Sequence, residues 1–235
     1  MRLPLAWRHF AGFQSYEPLL AEMQAHVSAI RQNAAAEAVW LLEHEAVYTS
    51  GTSAKPHDIL APGNVPISHV GRGGQWTWHG PGQRVAYVML DLSRRGQDVR
   101  ALVHGLESWI IASLSAFGIA GHRRDGLPGI WVKNGKSDSG LDKIAAIGIR
   151  ISRWVSWHGI AINLNPDLAA FGQILSVWAS HRLGFRNPII ILNSFLPTCV
   201  SFKEYAAPIK DIINGLVLHV LAGPGYPAEQ ILHRF

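Results

Sequence analysis

The sequence predicts an α+β domain, and three patterns support this prediction. Two segments place apolar residues at helical spacing, many short apolar runs have the length of strands, and turn-rich stretches separate these runs. A chain of 235 residues is long enough to bury one core, and it contains no repeat, low-complexity tract or linker. We therefore predict a single domain over residues 1–235.

Two segments are predicted to form helices from their apolar faces, and a third segment is compatible with a helix. The first covers residues 16–30, and the second, the better defined, covers residues 99–117. A further helix is expected over residues 205–221, around Pro208. The apolar positions that define the first helix are Leu19, Leu20, Met23, Val27 and Ile30.

Short strands account for most of the remaining chain. The first, over residues 37–43, is broken at His44 and Glu45 and continues through residues 47–49. The segment 133–140 is polar enough to form a loop. The other predicted strands are residues 66–70, 75–78, 85–90, 129–132, 143–151 and 154–164.

Composition excludes several classes of protein. Apolar residues make up 48% and charged residues 16% of the chain, and no apolar run approaches the roughly 20 residues of a membrane helix. No apolar segment precedes Arg8, so a secretory signal is not expected and the cytoplasm is the predicted location. The formal charge of +5 is not gathered in long basic blocks, which argues against nucleic acid but suits an acidic protein partner.

The most informative segment is the glycine-rich stretch 72–83, Arg-Gly-Gly-Gln-Trp-Thr-Trp-His-Gly-Pro-Gly-Gln. Glycine allows the backbone to approach a ligand closely, although the same composition also suits a hairpin between two strands. The polar residues Arg72, Thr77, His79 and Gln83 favour substrate binding.

Five motifs together resemble the bacterial lipoyl(octanoyl) transferases, in that family's order and spacing. The resemblance covers roughly residues 1–173 and returns more weakly over residues 200–235. It implies a mixed sheet packed with helices, like the catalytic domain of biotin and lipoate protein ligases. The motifs are Leu-Glu-His-Glu-Ala-Val-Tyr-Thr-Ser-Gly (42–51), the segment 72–83 with Asp91-Leu92, Leu-Pro-Gly-Ile-Trp-Val (127–132), Lys-Ile-Ala-Ala-Ile-Gly (143–148) and Trp-His-Gly-Ile-Ala-Ile-Asn-Leu-Asn-Pro-Asp (157–167).

The resemblance also implies a reaction and its partners. Octanoyl would pass from octanoyl-acyl carrier protein to a lysine through an acyl-cysteine thioester. The acceptors would be lipoyl domains of 2-oxoacid dehydrogenase complexes and the glycine cleavage H protein. Neither a cofactor nor a metal is implied, and the partners include no nucleic acid and no membrane.

Lys143 matches the family's catalytic lysine. Its ammonium group would stabilise a neighbouring thiolate and carry a proton, whereas the alternative is a solvated lysine at the end of a strand. The resemblance further implies that the acyl pocket is lined by Arg72, Gly73, Gly74, Gln75, Trp76, Thr77, Trp78, His79, Ala146, Ile147, Gly148, Gly159, Ile160 and Ala161.

Other polar residues have more than one interpretation. His79 is either a satisfied core histidine or a group of the site, and its flanking glycines favour the site. His44, His79 and His158 do not have the spacing of metal ligands, and no acidic residue pairs with them. Arg123 and Arg124 are either exposed charge or a docking point for an acidic carrier protein.

The nucleophile is where the sequence departs from the family. The expected Pro-Cys-Gly motif is absent, and Val177 occupies its register. Cys199, the only cysteine, lies some twenty residues later without a following glycine, so it is a substitute nucleophile at best or a small buried apolar residue. One hypothesis is a frameshift over residues 174–199, because deleting one base from a synonymous coding of residues 174–187 restores Pro-Cys-Gly.

Two other functions are compatible with these residues. A catalytically inactive remnant would bind the acyl chain or the acyl carrier protein without transfer. An ATP-using lipoate or biotin ligase would share the fold, but the sequence shows no basic adenylate-binding loop of that kind.

Overall fold

The computed structural model describes residues 5–133 and 140–175, which contain two α-helices and ten strands. The helix predicted at 205–221, Val177, Cys199 and most of the predicted loop at 133–140 lie outside the described residues. In chain order the elements are β1 (Leu5–Gln14), α1 (Tyr16–Arg31), β2 (Glu37–His44), β3 (Val47–Ser50), β4 (Ile67–His69), β5 (Trp76–His79), β6 (Gln83–Met89), α2 (Val99–Ser115), β7 (Gly121–His122), β8 (Ile130–Lys133), β9 (Leu141–Ser152) and β10 (Val155–Asn163).

Two sheets organise these strands. The larger has the order β1-β2-β6-β10-β9-β8-β7, with β1 parallel to β2 and the other pairs antiparallel. The smaller has the order β4-β3-β5, with β3 parallel to β4 and antiparallel to β5. Both sheets are therefore mixed, as the α+β prediction with a mixed sheet requires.

The two helices cover opposite faces of the larger sheet. Side chains alternate along a strand, so Val39 and Leu41 of β2 pack with the α2 side of the core, while Trp40 packs with the α1 side. Trp109 of α2 and Met23 of α1 are each buried among these side chains. This explains why β2 is continuously apolar from Ala38 to Leu42 rather than alternating with polar residues.

The chain leaves the larger sheet between β2 and β3. The sequence suggested one strand with a continuation after His44, but the two parts belong to different sheets. The backbone N–H of Glu45 donates to the carbonyl of Gln14 at 3.1 Å, which ties the turn to the end of β1. β3 then pairs with β5, so the glycine-rich segment lies beside the larger sheet.

Sequence reasoning missed β1 and the two-residue β7. β1 is an edge strand with little buried surface and a register irregularity between His9 and Phe13, so it lacks a clear apolar alternation. Within the described residues, neither α-helix is long and apolar enough to span a bilayer.

Candidate active site

The glycine-rich segment and β9 meet at a close backbone contact. The N–H of Gly73 donates to the carbonyl of Ile149 at 3.1 Å. A Cβ atom at Gly148 would lie 3.1 Å from Cδ of Arg72 and 3.4 Å from the carbonyl oxygen of Gly73. The two motifs that are distant in sequence are thus joined in space, and the contact depends on the missing side chain at Gly148.

Arg72 is a buried cation surrounded by neutral acceptors. Its Nη2 atom donates to the carbonyl oxygen of Thr49 at 2.8 Å and to Oγ1 of Thr49 at 2.9 Å, and Nη1 donates to the carbonyl of Gly73 at 3.0 Å. Its Nε atom makes no hydrogen bond within the described parts of the chain. Burial lowers the pKa of Arg72 from its ordinary value, so an anion or a developing oxyanion beside it would relieve an uncompensated charge.

Gly51 holds the Arg72 loop against β3 and was missing from the predicted site. A Cβ atom there would lie 2.2 Å from the carbonyl oxygen of Gly74 and 2.8 Å from Nη1 of Arg72. The N–H of Gly51 donates to the carbonyl of Gln75 at 3.1 Å. The sequence could have indicated Gly51, because it is the last residue of the motif 42–51 and directly follows a strand.

Lys143 is packed against an aromatic ring. It lies opposite Trp131 in the β8–β9 pair, with Nζ 5.7 Å from the centroid of that ring. A Cβ atom at Gly129, where φ is +118°, would lie 2.4 Å from Cε of Lys143, so this glycine leaves room for the aliphatic stem. Burial, followed by the charge of Arg72, lowers the pKa of Lys143 to about 8. Lys143 is half-buried and is not a freely solvated lysine at a strand end.

His79 is neutral and is held by a side-chain amide. Its Nδ1 atom lies 2.6 Å from Oε1 of Gln83, and Nε2 of Gln83 donates to Oδ1 of Asn163 at 2.9 Å. Burial, followed by the neighbouring His44 and Arg72, lowers the pKa of His79 to about 3. Asn163 was not among the predicted site residues, although it lies within the motif 157–167, which is the signal that could have found it.

His44 belongs to a second buried network that sequence reasoning did not assign to the site. Its Nδ1 atom donates to the carbonyl of Gln14 at 2.9 Å, so Nε2 accepts from the hydroxyl of Tyr87 at 2.6 Å. The hydroxyl groups of Tyr16 and Tyr87 interact in turn. Burial lowers the pKa of His44 to about 4 and raises the pKa of Tyr16 to about 12.

The three histidines that the sequence separates come together in space. The ring centroids of His44 and His79 are 5.9 Å apart, and His158 contacts the ring of Tyr87, with 6.1 Å between centroids. Burial, then the charge of Arg72, lowers the pKa of His158 to about 3, and its Nε2 atom has no hydrogen-bond partner among the described residues. Across those residues, no group of three or more His, Cys, Asp or Glu side chains is placed to hold a metal ion.

The predicted pocket residues of β9 and β10 divide between two faces of the sheet. Ala146 pairs with Ala161 and Gly148 with Gly159, and this row of small residues lies on the face that carries Arg72. Ile147 and Ile160 pair on the opposite face and pack into the core beneath α2. The alternation of a strand turns both isoleucine side chains away from the small residues, and the implied pocket role of these two positions stays a prediction.

The predicted pocket residues of β5 divide in the same way. Trp76 and Trp78 pack with Tyr48 and Phe171 in the core of the smaller sheet, and Nε1 of Trp76 donates to the carbonyl of Lys55 at 2.7 Å. Both side chains thus stabilise the smaller sheet, and their implied role as pocket lining stays a prediction. Thr77 lies between them and pairs with Thr49, the residue that anchors Arg72, and Gln75 directly precedes Trp76.

Comparison with known proteins supplies the class of protein. Residues 15–213 match the model of the lipoyl protein ligase A/B catalytic domain. A bipartite lipoate protein ligase from Thermoplasma acidophilum superposes with a TM-score of 0.65 at 12% identity, covering 98% of this chain and 92% of that one. A lipoate-protein ligase A bound with ATP gives a TM-score of 0.62 at 12% identity, covering 97% and 92%. These structures confirm the predicted lipoate ligase-like fold.

Closer relatives narrow this class. An octanoyltransferase of Chelativorans sp. (strain BNC1) is 55% identical over 178 residues, which are 73% of this chain and 72% of that protein. An octanoyltransferase of Cereibacter sphaeroides is 53% identical over 175 residues, 72% of this chain and 80% of that protein. The chain belongs to the lipoyl protein ligase A/B catalytic domain family, and within it to the octanoyltransferases, which are acyltransferases. The predicted family is confirmed.

Proposed function

We propose that this chain transfers octanoyl from acyl carrier protein to a lysine of lipoyl domains, through an acyl-cysteine thioester and without a cofactor. The acceptors are the lipoyl domains of 2-oxoacid dehydrogenase complexes and the glycine cleavage H protein, and the reaction takes place in the cytoplasm. The observation that carries the proposal is the lowered pKa of Lys143, which is half-buried and lies within electrostatic reach of Arg72. A single catalytic domain over residues 1–235 performs both half-reactions.

The acyl chain binds along the row of small residues on the Arg72 face. Ala146 and Ala161 project only a methyl group on this face, so they obstruct an acyl chain little beside the contact between Gly148 and Arg72. Gly159 serves the packing of the sheet instead, since a Cβ atom there would lie 1.8 Å from the carbonyl oxygen of Ala86. Gly73 and Gly74 border the same space, and His79 lies beside it. A linear eight-carbon chain needs such a narrow apolar slot with one polar end.

Two transfers of the acyl group make up the reaction. A cysteine thiolate attacks the thioester carbonyl, the new C–S bond forms, and the carrier thiolate leaves and takes up a proton. The target amine then attacks the enzyme thioester and the C–N bond forms. The bond between the acyl carbon and the cysteine sulfur breaks, and the proton lost by the amine passes to that sulfur. With a pKa of about 8, Lys143 populates both its charged and neutral forms near that pH, so it is suited to exchange these protons.

Arg72 stabilises the oxyanion in both steps. Each attack converts a neutral carbonyl into a negatively charged tetrahedral species. The guanidinium is buried among neutral acceptors, and its Nε–H has no partner in the described regions. Its charge is therefore fixed in place before the reaction and gains most when the oxyanion forms.

The acyl carrier protein docks near Arg124 in this proposal. Cζ of Arg124 lies 5.0 Å from the centroid of Trp131, the ring that also contacts Lys143. Arg123 differs, because its Nε donates to Glu107 at 2.9 Å in an ion pair. Arg124 is the better candidate for an acidic partner, since it is exposed and contacts the same Trp131 ring as the proposed catalytic lysine.

Cys199 is the candidate substitute nucleophile of the chain as written, since it is the only thiol and Val177 occupies the expected register. It is tested by incubating the protein with octanoyl-acyl carrier protein and measuring the intact mass with and without hydroxylamine. The proposal predicts a gain of one octanoyl mass that hydroxylamine removes, and that Cys199→Ser abolishes. Bound but non-covalent acyl carrier protein would favour the inactive remnant, and ATP-dependent transfer of free octanoate would favour a ligase.

The frameshift hypothesis is tested separately. Genomic sequencing across codons 172–200 that reads a Pro-Cys-Gly frame would place the nucleophile near position 177 instead. In that case the mass experiment is repeated on the corrected chain, and the roles of Lys143 and Arg72 stay as proposed.

A further inference from the structure

We propose that Gln83 is a positioning residue: together with Asn163 it holds the His79 ring with its proton on Nδ1, so that Nε2 offers a lone pair to the attacking amine of the target lysine. This inference rests on the proposed transfer to lysine. It adds a hydrogen-bond acceptor to a site whose other proposed groups, Arg72 and Lys143, are cationic.

The backbone fixes His79 and Gln83 at the two ends of one tight turn. His79 ends β5 and Gln83 begins β6, and the N–H of Gln83 donates to the carbonyl of Gly80 at 3.1 Å. Gly82, with φ at +84°, donates its N–H to Oε2 of Glu43 at 2.9 Å. A Cβ atom at Gly82 would lie 2.1 Å from the carbonyl oxygen of Asn165. The turn is thus held by β2 on one side and by the end of β10 on the other.

The amide of Gln83 assigns the proton on His79. Its NH₂ group donates to Oδ1 of Asn163, the residue opposite it in the β6–β10 pair. The carbonyl end, Oε1, consequently faces Nδ1 of His79 at 2.6 Å. A carbonyl oxygen only accepts, so Nδ1 carries the hydrogen and Nε2 of the neutral ring is left as an acceptor.

The surroundings of His79 keep the ring neutral. Tyr16 on α1 stacks on it with 6.3 Å between centroids, His44 on β2 lies 5.9 Å away, and Arg72 and His158 are within electrostatic reach. These groups are neutral or cationic, and burial further disfavours the imidazolium. The acceptor on Nε2 is therefore present throughout the neutral pH range, and it makes no hydrogen bond within the described segments.

A fixed acceptor discriminates between the two reacting groups. The Nε2 lone pair attracts an N–H of the neutral amine and repels the oxygen of the thioester carbonyl, whereas the Arg72 guanidinium does the reverse. An N–H that donates to Nε2 restricts rotation of the amine and directs its own lone pair toward the acyl carbon. His79 therefore orients the amine, and the proton released after attack goes to the departing sulfur through Lys143.

The tautomer can be measured without any enzymatic activity. Ring ¹⁵N spectra of the wild type at neutral pH should show a protonated Nδ1 and an unprotonated Nε2 at His79. Gln83→Glu, which still accepts from Nδ1, should keep this pattern and raise the pKa of His79. Gln83→Leu should lose it, and the control Ser113→Ala, which removes a buried hydrogen bond of α2 remote in sequence, should not. A wild-type ring protonated on Nε2, or on both nitrogens, would overturn the proposal.

Measuring the two half-reactions separately tests whether His79 orients the attacking amine. Gln83→Leu should lower the rate of acyl transfer from the pre-acylated enzyme to a lipoyl domain by about tenfold, the order expected for one lost hydrogen bond, and leave enzyme acylation nearly unchanged. An equal loss in both half-reactions would contradict the assigned role. Should the chain not transfer at all, titration with an unmodified lipoyl domain should still shift the Nε2 resonance, and a domain already octanoylated on its lysine should not. Failure of that shift overturns the inference, whereas absence of transfer alone overturns the proposed function.

Discussion

Arg72 lies against Gly148 so closely that a Cβ atom at position 148 would be 3.1 Å from its Cδ atom. This contact connects the glycine-rich segment to β9, the strand that carries the proposed catalytic lysine. The position of the buried guanidinium therefore depends on a residue that has no side chain.

Gly148→Ala should impair acyl transfer more than it impairs folding. The added methyl group would push Arg72 and the carbonyl of Gly73 away from β9, and displacement of an oxyanion donor should lower kcat/KM by roughly tenfold or more. The matched control is Gly172→Ala, where an added Cβ meets no atom within 4 Å. Steady-state transfer rates for both variants decide the point, and equal activity of the two would show that the contact does not matter for catalysis.

Lys143→Met should abolish transfer and leave the fold intact. The substitution keeps an unbranched stem beside Gly129 and Trp131 but removes the group with a pKa of about 8. We expect a loss of several orders of magnitude in kcat, with little change in the thermal midpoint. The control is the exposed Lys55→Met. Near wild-type turnover in the Lys143 variant would remove this lysine from the mechanism.

The buried histidines should make the protein less stable in acid. Their folded-state pKa values are lowered, to about 4 for His44 and about 3 for His79 and His158, so the unfolded chain binds protons first as the pH falls below 6.5. Stability is full above 6.5 and declines toward the folded-state values, by about 2 kcal/mol per histidine at pH 5.

Urea unfolding at pH 7 and pH 5 measures this decline. His44→Gln should reduce the pH dependence, although it also disturbs the hydrogen bonds to Gln14 and Tyr87. The control is His57→Gln, which alters a ring that is largely exposed. If the free energy of unfolding falls by the same amount between pH 7 and pH 5 in wild type and in the His44 variant, the His44 ring does not take up a proton on unfolding.

Arg124→Glu should weaken use of the acyl carrier protein as donor. Reversing the charge beside Trp131 opposes an acidic partner, so KM for octanoyl-acyl carrier protein should rise by roughly tenfold while kcat changes little. Arg123→Glu serves as a comparison, because that side chain is already engaged with Glu107. An unchanged KM, measured at low and at moderate salt, would place the docking surface elsewhere.

The sequence predicts both helices and most strands because their patterns are local. Met23 and Trp109 lie on apolar faces with clear helical spacing, and both are buried in the structure. β1 is not predicted, because an edge strand buries too few side chains to show an alternation of apolar and polar residues. The separation of β2 from β3 escapes it as well, since the chain changes sheets through a backbone contact with Gln14 that no composition reveals.

The candidate site is only partly visible in the sequence for a related reason. Lys143 and the glycine-rich segment are found through motifs, and the structure brings Lys143 within electrostatic reach of Arg72 in that segment. Ile147, Ile160, Trp76 and Trp78 lie inside those motifs but point into cores, because a motif is contiguous whereas a strand face is not. The networks of His44 and His79 join residues tens of positions apart, so sequence spacing could not predict them.

The most direct measurement is transfer itself. The purified chain is mixed with octanoyl-acyl carrier protein and a lipoyl domain in the absence of ATP, and the lipoyl domain is analysed by mass spectrometry with peptide mapping. We predict octanoyl in amide linkage on the lipoyl-domain lysine, dependent on both Lys143 and the thiol of the enzyme. A lipoyl domain that remains unmodified, with a correctly folded enzyme and an active donor, would contradict the account.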